Sequence, residues 1–133
     1  PVEQIASLRL IPGMTVIRPA DGPEVAAAWA CALRHQRGPT ALILTRQSVP
    51  EIPRQKPFSF AEFNRGAYTV AETEGKSPEV VLVGTGSELQ FAVAARNALE
   101  KAGYAVRVVS MPSRELFMRQ DAAFREALLP PMA

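Results

Sequence analysis

Cysteine, histidine and tryptophan each occur once in this 133-residue sequence, as Cys31, His35 and Trp29. A lone cysteine excludes an internal disulfide and suits a reducing compartment. Cys31 sits among Ala and Trp in a helical pattern and reads as a small buried hydrophobe. With one His and one Cys, no cluster has metal-ligand spacing. There is no Gly-x-Ser-x-Gly elbow of a hydrolase. No apolar run approaches the ~20 residues of a membrane span, so no membrane partner is expected. The opening PVEQIASLRL lacks the basic head and apolar core of a signal peptide. Charge of one sign is scarce as well. The formal net charge is +2, and Arg9, Arg18, Arg34, Arg37 and Arg46 are scattered among acids rather than gathered in the stripe that nucleic acid requires. No nucleic-acid partner is expected.

What is present is a globular composition, 47% hydrophobic and 21% charged. The length allows one ordinary domain or parts of two. A start at Pro1 without a Met leads us to expect a piece of a longer chain.

The elements fall into two groups around a stiff middle. Residues Val2 to Leu10, with Ile5, Leu8 and Leu10 apolar, predict a short helix ended by Pro12-Gly13. Met14 to Ile17 predicts a strand stopped by Pro19. Asp21-Gly22-Pro23-Glu24 is a helix start. Asp21 can cap the backbone, Pro23 needs no hydrogen bond there, and Glu24 can reach back. The helix is expected to end near Gly38 and to bury Val25, Ala28, Trp29, Ala32 and Leu33. Thr40 to Leu44 is a continuous apolar strand, the pattern of one covered on both faces. Residues Ser48 to Asn64 change character, because Pro50, Pro53 and Pro57 favour an extended, semi-rigid spacer. Beyond it, strands are expected at Gly66–Glu72, Val80–Val83 and Val106–Val109. A helix from Glu88 to Lys101 should bury Phe91, Ala94, Ala95, Ala98 and Leu99. Ser87 and Gln90 suggest its capping box. A last helix spans Asp121 to Leu129. Each half reads strand–helix–strand, the order of parallel α/β layers. Neither half has enough strands for a complete doubly wound sheet.

Chemical signals are few. His35 lies at the end of a helix, where its charge suits the helix dipole. Gly84-Thr85-Gly86-Ser87 joins a strand to a helix, where backbone amides can hold phosphate. It lacks the third glycine of a dinucleotide fingerprint and the Lys of a P-loop, and reads as a tight turn. Arg46 is the best single candidate. It follows an apolar strand, and ligands of open parallel sheets bind at carboxyl ends of strands. A guanidinium there can fork onto a phosphate or carboxylate. An ordinary surface arginine or an interface ion pair fits the position equally well.

Three segments carry a family resemblance: PVEQIASLRLIPGMTVIRPADGPEVAAAW, GPTALILTRQSVP and VVLVGTGSELQFAVAARNALEKAGYAVRVVSMPS. Together they resemble transketolases, over nearly the whole chain and least in Glu51 to Asn64 and at the tail. Transketolases use thiamine diphosphate to move a two-carbon ketol unit between sugar phosphates, the cofactor doing the bond chemistry. The resemblance implies an α/β fold made of parts of two Rossmann-like open sheets joined by a Pro-rich linker. Residues 1–49 would be the C-terminal part of the pyrimidine-binding domain, 50–65 the linker, and 66–133 the N-terminal part of the C-terminal domain. It implies that Arg46 binds the substrate phosphate, and that Gly84 to Ser87 takes no part in cofactor binding.

It also implies a cytoplasmic homodimer of the non-oxidative pentose phosphate pathway, needing thiamine diphosphate and a divalent cation (Mg or Ca) in the full-length protein. Catalytic, cofactor-binding and metal-binding residues are expected elsewhere, so this segment alone is expected to bind no cofactor and to be inactive. The family motif Asp-Gly-Pro-Thr-His-Gln would precede Pro1. After Pro130-Pro131-Met132-Ala133 the family continues into another strand. Thr45 and Ser48 stand where the family more often has Ser and Asn. Two other readings are a dihydroxyacetone synthase-like relative and a non-catalytic α/β binding or assembly module.

Overall fold

The computed structural model describes residues 2–131. Helix α1, Gln4–Arg9, buries none of its residues, and Leu10 beyond it is exposed. Strand β1, Thr15–Ile17, is fully buried. Helix α2, Gly22–Arg34, returns the chain to strand β2, Thr40–Leu42, which pairs parallel to β1 with Thr15 opposite Thr40 and Ile17 opposite Leu42. This is one β–α–β unit. Asp21 caps α2 by accepting from Glu24 N–H at 3.2 Å. The Glu24 carboxylate reaches back one residue further than a capping box requires, to Ala20 N–H at 2.8 Å.

The face that α2 buries differs from the expected one. The helix buries Glu24, Ala27, Ala28 and Cys31. Trp29 and Leu33 are 54% and 78% exposed, because the two-stranded sheet covers only one flank of the helix. The expectation of a doubly covered strand at Thr40–Leu44 also fails. β2 ends at Leu42, is half-buried, and has a strand neighbour on one edge only among the described residues.

The Pro-rich stretch is packed rather than free. Ile52 and Phe63 are buried, and Ser59 caps helix α3, Phe60–Phe63. Strand β3, Tyr68–Glu72, follows. Gln55 lies against the outer edge of β3. Its N–H donates to Val70 O at 3.1 Å, and its side-chain amide exchanges hydrogen bonds with Glu72 O (2.8 Å) and Glu72 N–H (2.7 Å). The polar groups of an otherwise open edge are thereby satisfied.

Strand β4, Val80–Gly84, leads through a 3₁₀ turn at Gly86–Glu88 into helix α4, Leu89–Lys101, and strand β5, Val106–Ser110. The sheet order is β3-β5-β4. β4 and β5 are parallel, with Val80 opposite Val106 and Gly84 opposite Ser110. β3 is antiparallel to β5, which corrects the all-parallel expectation. Strand–helix–strand order constrains only β4–α4–β5, and β3 enters the sheet from the linker side.

The expected Ser87 cap is not made. Gln90 Nε2 instead donates to Ser87 O at 2.9 Å, and the 3₁₀ turn precedes the helix. The buried side of α4 is accordingly Leu89, with Ala92 and Val93 packed beside it, while Phe91 is 66% exposed and Ala94, Ala95 and Ala98 face outward. Gly84 fixes this seat, since a Cβ there would lie 2.7 Å from Leu89 Cα. Helices α5, Arg114–Met118, and α6, Ala122–Leu128, are capped by Ser113 and Asp121. The first was not expected.

The two sheets are separate, but the core is shared. Ile17, Ala27 and Ala28 from the first unit, Ile52 from the stretch between, and Tyr68, Val70, Leu89 and Val108 from the second form one buried cluster. A smaller cluster of Ala67, Val109, Phe117 and Leu128 lies on the other face of the second sheet.

Candidate functional site

The carboxyl ends of β1 and β2 open side by side. A small cleft of about 150 Å³ lies there, lined by Arg18, Pro19, Ile43, Leu44, Thr45, Gly86 and Ser87. Arg46 follows directly, exposed, in a bend where Thr45 Oγ1 accepts from Gln47 N–H at 3.2 Å. Among the described residues its guanidinium has no ion-pair or hydrogen-bond partner. Arg46 is therefore a forked cation at the end of a sheet strand, with its donors facing outward, able to take an anionic group of a ligand.

The Gly84–Ser87 turn is spent on packing. Gly86, at φ 58, donates its N–H to Arg18 O at 3.1 Å, and the Arg18 guanidinium pairs with Glu88 at 3.2 Å. The amide that would cradle a phosphate is already bonded. His35 ends α2, its N–H closing the last turn on Cys31 O. Cys31 is buried and donates to Asn64 Oδ1 at 3.2 Å, and burial pushes its thiol pKa up. Among the described residues no group of three His, Cys, Asp or Glu side chains has the geometry to hold a metal ion.

Behind the Arg46 loop lies a cluster that sequence reasoning did not assemble. Asp21 and Glu24 are 1% and 0% exposed at the side chain, and Arg54 is 7% exposed. Arg54 forks onto Asp21, NH1 to Oδ2 at 2.8 Å and NH2 to Oδ1 at 2.9 Å. It also donates to Ile52 O at 2.9 Å and, through Nε, to Tyr68 OH at 3.1 Å. The Tyr68 hydroxyl donates in turn to Glu24 Oε1 at 2.7 Å, and Ser110 Oγ donates to the same oxygen at 2.6 Å. The network ties α2 to the Pro-rich stretch, to β3 and to β5.

Its charges divide by environment. Burial alone would raise Asp21, but the Arg54 fork and the amides of Ile52 and Glu24 hold it below the usual carboxylate range. Burial pushes Glu24 up, and the Asp21 charge adds to that, against the hydrogen bonds from Ser110, Tyr68 and Ala20. Burial and the Glu24 charge raise Tyr68. Glu24 accepts from Tyr68, Ser110 and the Ala20 amide, and lies 3.7 Å from the Arg54 guanidinium. Two carboxylates against one guanidinium are tolerated because their oxygens are saturated by donors. In the sequence the capping pattern marks Asp21 and Glu24, while Arg54 is only a charge among prolines and Tyr68 and Ser110 carry no signal.

The architecture defines the class first: an α/β chain with two incomplete open sheets and an exposed cation at the carboxyl end of a parallel strand. Residues 1–51 match the family described as transketolase, pyrimidine binding domain, and residues 66–133 match the transketolase-like TK C-terminal domain. The chain belongs to the transketolase family. It is 50% identical over 131 residues to a transketolase of Aquifex aeolicus, covering 98% of this chain and 19% of that protein. It is 48% identical to transketolase 2 of Vibrio vulnificus, with 98% and 19% covered. The solved transketolase from Leishmania mexicana superposes with a TM-score of 0.86 at 42% identity, over 98% of this chain and 18% of that one. The chain thus spans about a fifth of the length of the curated relatives it matches.

Proposed function

We propose that this chain is the part of a transketolase that supplies Arg46 to the substrate channel, where it binds the phosphate of a sugar phosphate. In the whole protein the reaction is transfer of a two-carbon ketol unit between sugar phosphates, in the non-oxidative pentose phosphate pathway. That protein is a cytoplasmic homodimer that uses thiamine diphosphate and a divalent cation (Mg or Ca). The domains run over 1–49, a linker at 50–65, and 66–133. The observation that carries the reading of Arg46 is its outward-facing guanidinium past the end of β2, in a chain so similar to transketolases throughout. The dihydroxyacetone synthase-like reading and the non-catalytic module are not favoured, because the relatives reported above are named transketolases.

The test is Arg46→Ala in the full-length protein. A charge-assisted hydrogen bond contributes about 1.5–3 kcal/mol net. Its loss should lower kcat/KM for a phosphorylated acceptor by roughly tenfold to a hundredfold or more. An unphosphorylated acceptor such as glycolaldehyde should be almost unaffected. Equal losses with both acceptors would mean that Arg46 acts on folding or assembly instead.

A further inference from the structure

The loop that carries Arg46 is tied at both ends to one corner of the fold. At its start, Ile43 N–H donates to Ile17 O at 2.9 Å, extending the β1–β2 pairing by one bond. At its end, Ile52 N–H donates to Asp21 Oδ2 at 3.0 Å. Ile17 and Asp21 flank the short β1–α2 connection. Residues 44–51 thus form a closed loop whose base is one strand end and one side chain. Seven of these residues, Leu44 to Ser48, Pro50 and Glu51, are exposed, and only Val49 and the turn bond between Gln47 and Thr45 hold the loop from within. Asp21 does the closing. It is buried, its Oδ1 caps α2, and its Oδ2 is left to take Ile52 and Arg54.

We infer that Asp21 is a positioning residue for substrate phosphate: through Ile52 it closes the loop that presents Arg46. This rests on the phosphate reading of Arg46 proposed above. Without the pin, Ile52 is held by its side chain in the shared core alone, and the next hydrogen-bonded ties are Arg54 to Tyr68 OH at 3.1 Å and Gln55 on β3. By chain-closure entropy alone, lengthening the loop to those ties is a small effect. The larger effect is on the direction of approach, because a ligand bound by a preorganised cation does not bear the cost of ordering it.

Asp21→Asn in the full-length protein removes the second acceptor oxygen and retains a good helix cap. The expected result is a KM for a phosphorylated acceptor raised about three- to tenfold, the range of one hydrogen bond of ordinary net strength. The KM for glycolaldehyde should stay the same, with kcat within about twofold for both. In the Arg46→Ala background the same change should have no further phosphate-selective effect, since the residue it positions is gone. A rise in KM that is equal for the two acceptors, or one that persists undiminished without Arg46, overturns the inference. If Arg46→Ala is itself unselective, the phosphate reading falls and the inference with it. If Arg46→Ala is selective and Asp21→Asn is not, only the pin is wrong. A measurement on the unmodified protein covers the case in which the variant does not fold. The Ile52 amide should exchange with solvent at least tenfold more slowly than those of Gln47 and Glu51, and equal rates would refute the pin.

Discussion

Replacing Arg54 by Met isolates the energetics of the buried cluster. Met keeps most of the apolar stem and removes the guanidinium, whose Cζ lies 5.2 Å from the centroid of the Phe58 ring. Four hydrogen bonds of 2.8 to 3.1 Å are lost, two of them to Asp21. Asp21 is then a buried carboxylate held only by the amides of Glu24 and Ile52. Breaking a buried ion pair by deleting one partner costs about 3–5 kcal/mol. The two surviving amide bonds put the expected loss at the low end, about 3 kcal/mol at pH 7.

The pH dependence separates charge from packing. Arg54 holds Asp21 below its unfolded pKa of 3.8, so the stability this contributes is present above that pH and is lost as pH falls through the lower folded value. In the variant, burial dominates and raises Asp21 instead. Glu24, whose Oε1 is 3.7 Å from the guanidinium, loses the same cation and shifts the same way. Acid then neutralises what the missing Arg no longer balances, and the gap between variant and parent narrows from the raised Asp21 value of the variant, above 3.8, down through the lowered value of the parent. The assay is urea unfolding of the chain by far-ultraviolet circular dichroism at several pH values. A loss under about 1 kcal/mol at pH 7, or one that is unchanged in acid, would refute the reasoning.

Gly66→Ala should destabilise the second unit by about 3 kcal/mol or more, combining positive-φ strain with overpacking. Gly66 has φ +90, and a Cβ there would lie 2.3 Å from Phe117 N and 2.5 Å from Ser113 O, both backbone atoms. A midpoint shift in urea equal to that of an ordinary surface glycine would contradict this. Arg46→Lys should recover part of the phosphate selectivity lost in Arg46→Ala, because a point charge replaces a planar fork. Full recovery in kcat/KM with a phosphorylated acceptor would show that geometry at this position is unimportant.

Local signals were legible in the sequence wherever one short stretch decides the outcome. The Asp21 cap and the Pro23 start bound α2 closely, and β1, β4 and β5 fall where the apolar runs do. The rotation of α2 and α4 was not legible. Periodicity shows that a helix has an apolar stripe, but these helices have two apolar sides, and distant partners choose between them. For α2 the choice is made by Glu24 bonding to Tyr68 and Ser110, and for α4 by Leu89 seating against Gly84. The packing of the Pro-rich stretch was not legible for a related reason. Prolines set its extended path, but Ile52, Arg54 and Gln55 bind surfaces formed elsewhere in the chain. The place of Arg46 past β2 was legible because that signal is local, a cation after an apolar run. The cluster behind it was not, because its members are brought together only by the fold.

The central claim is that this chain is the Arg46-bearing segment of a transketolase and depends on the rest of the protein for its chemistry. The most direct measurement is ketol transfer from a ketose phosphate donor to an aldose phosphate acceptor. It should be made with the full-length protein and with the 133-residue chain, each with and without thiamine diphosphate and a divalent cation. The account predicts transfer by the full-length protein only when the cofactor is present, and none by the 133-residue chain under any condition. Absence of transfer by the cofactor-loaded full-length protein, or transfer by the 133-residue chain alone, would contradict it.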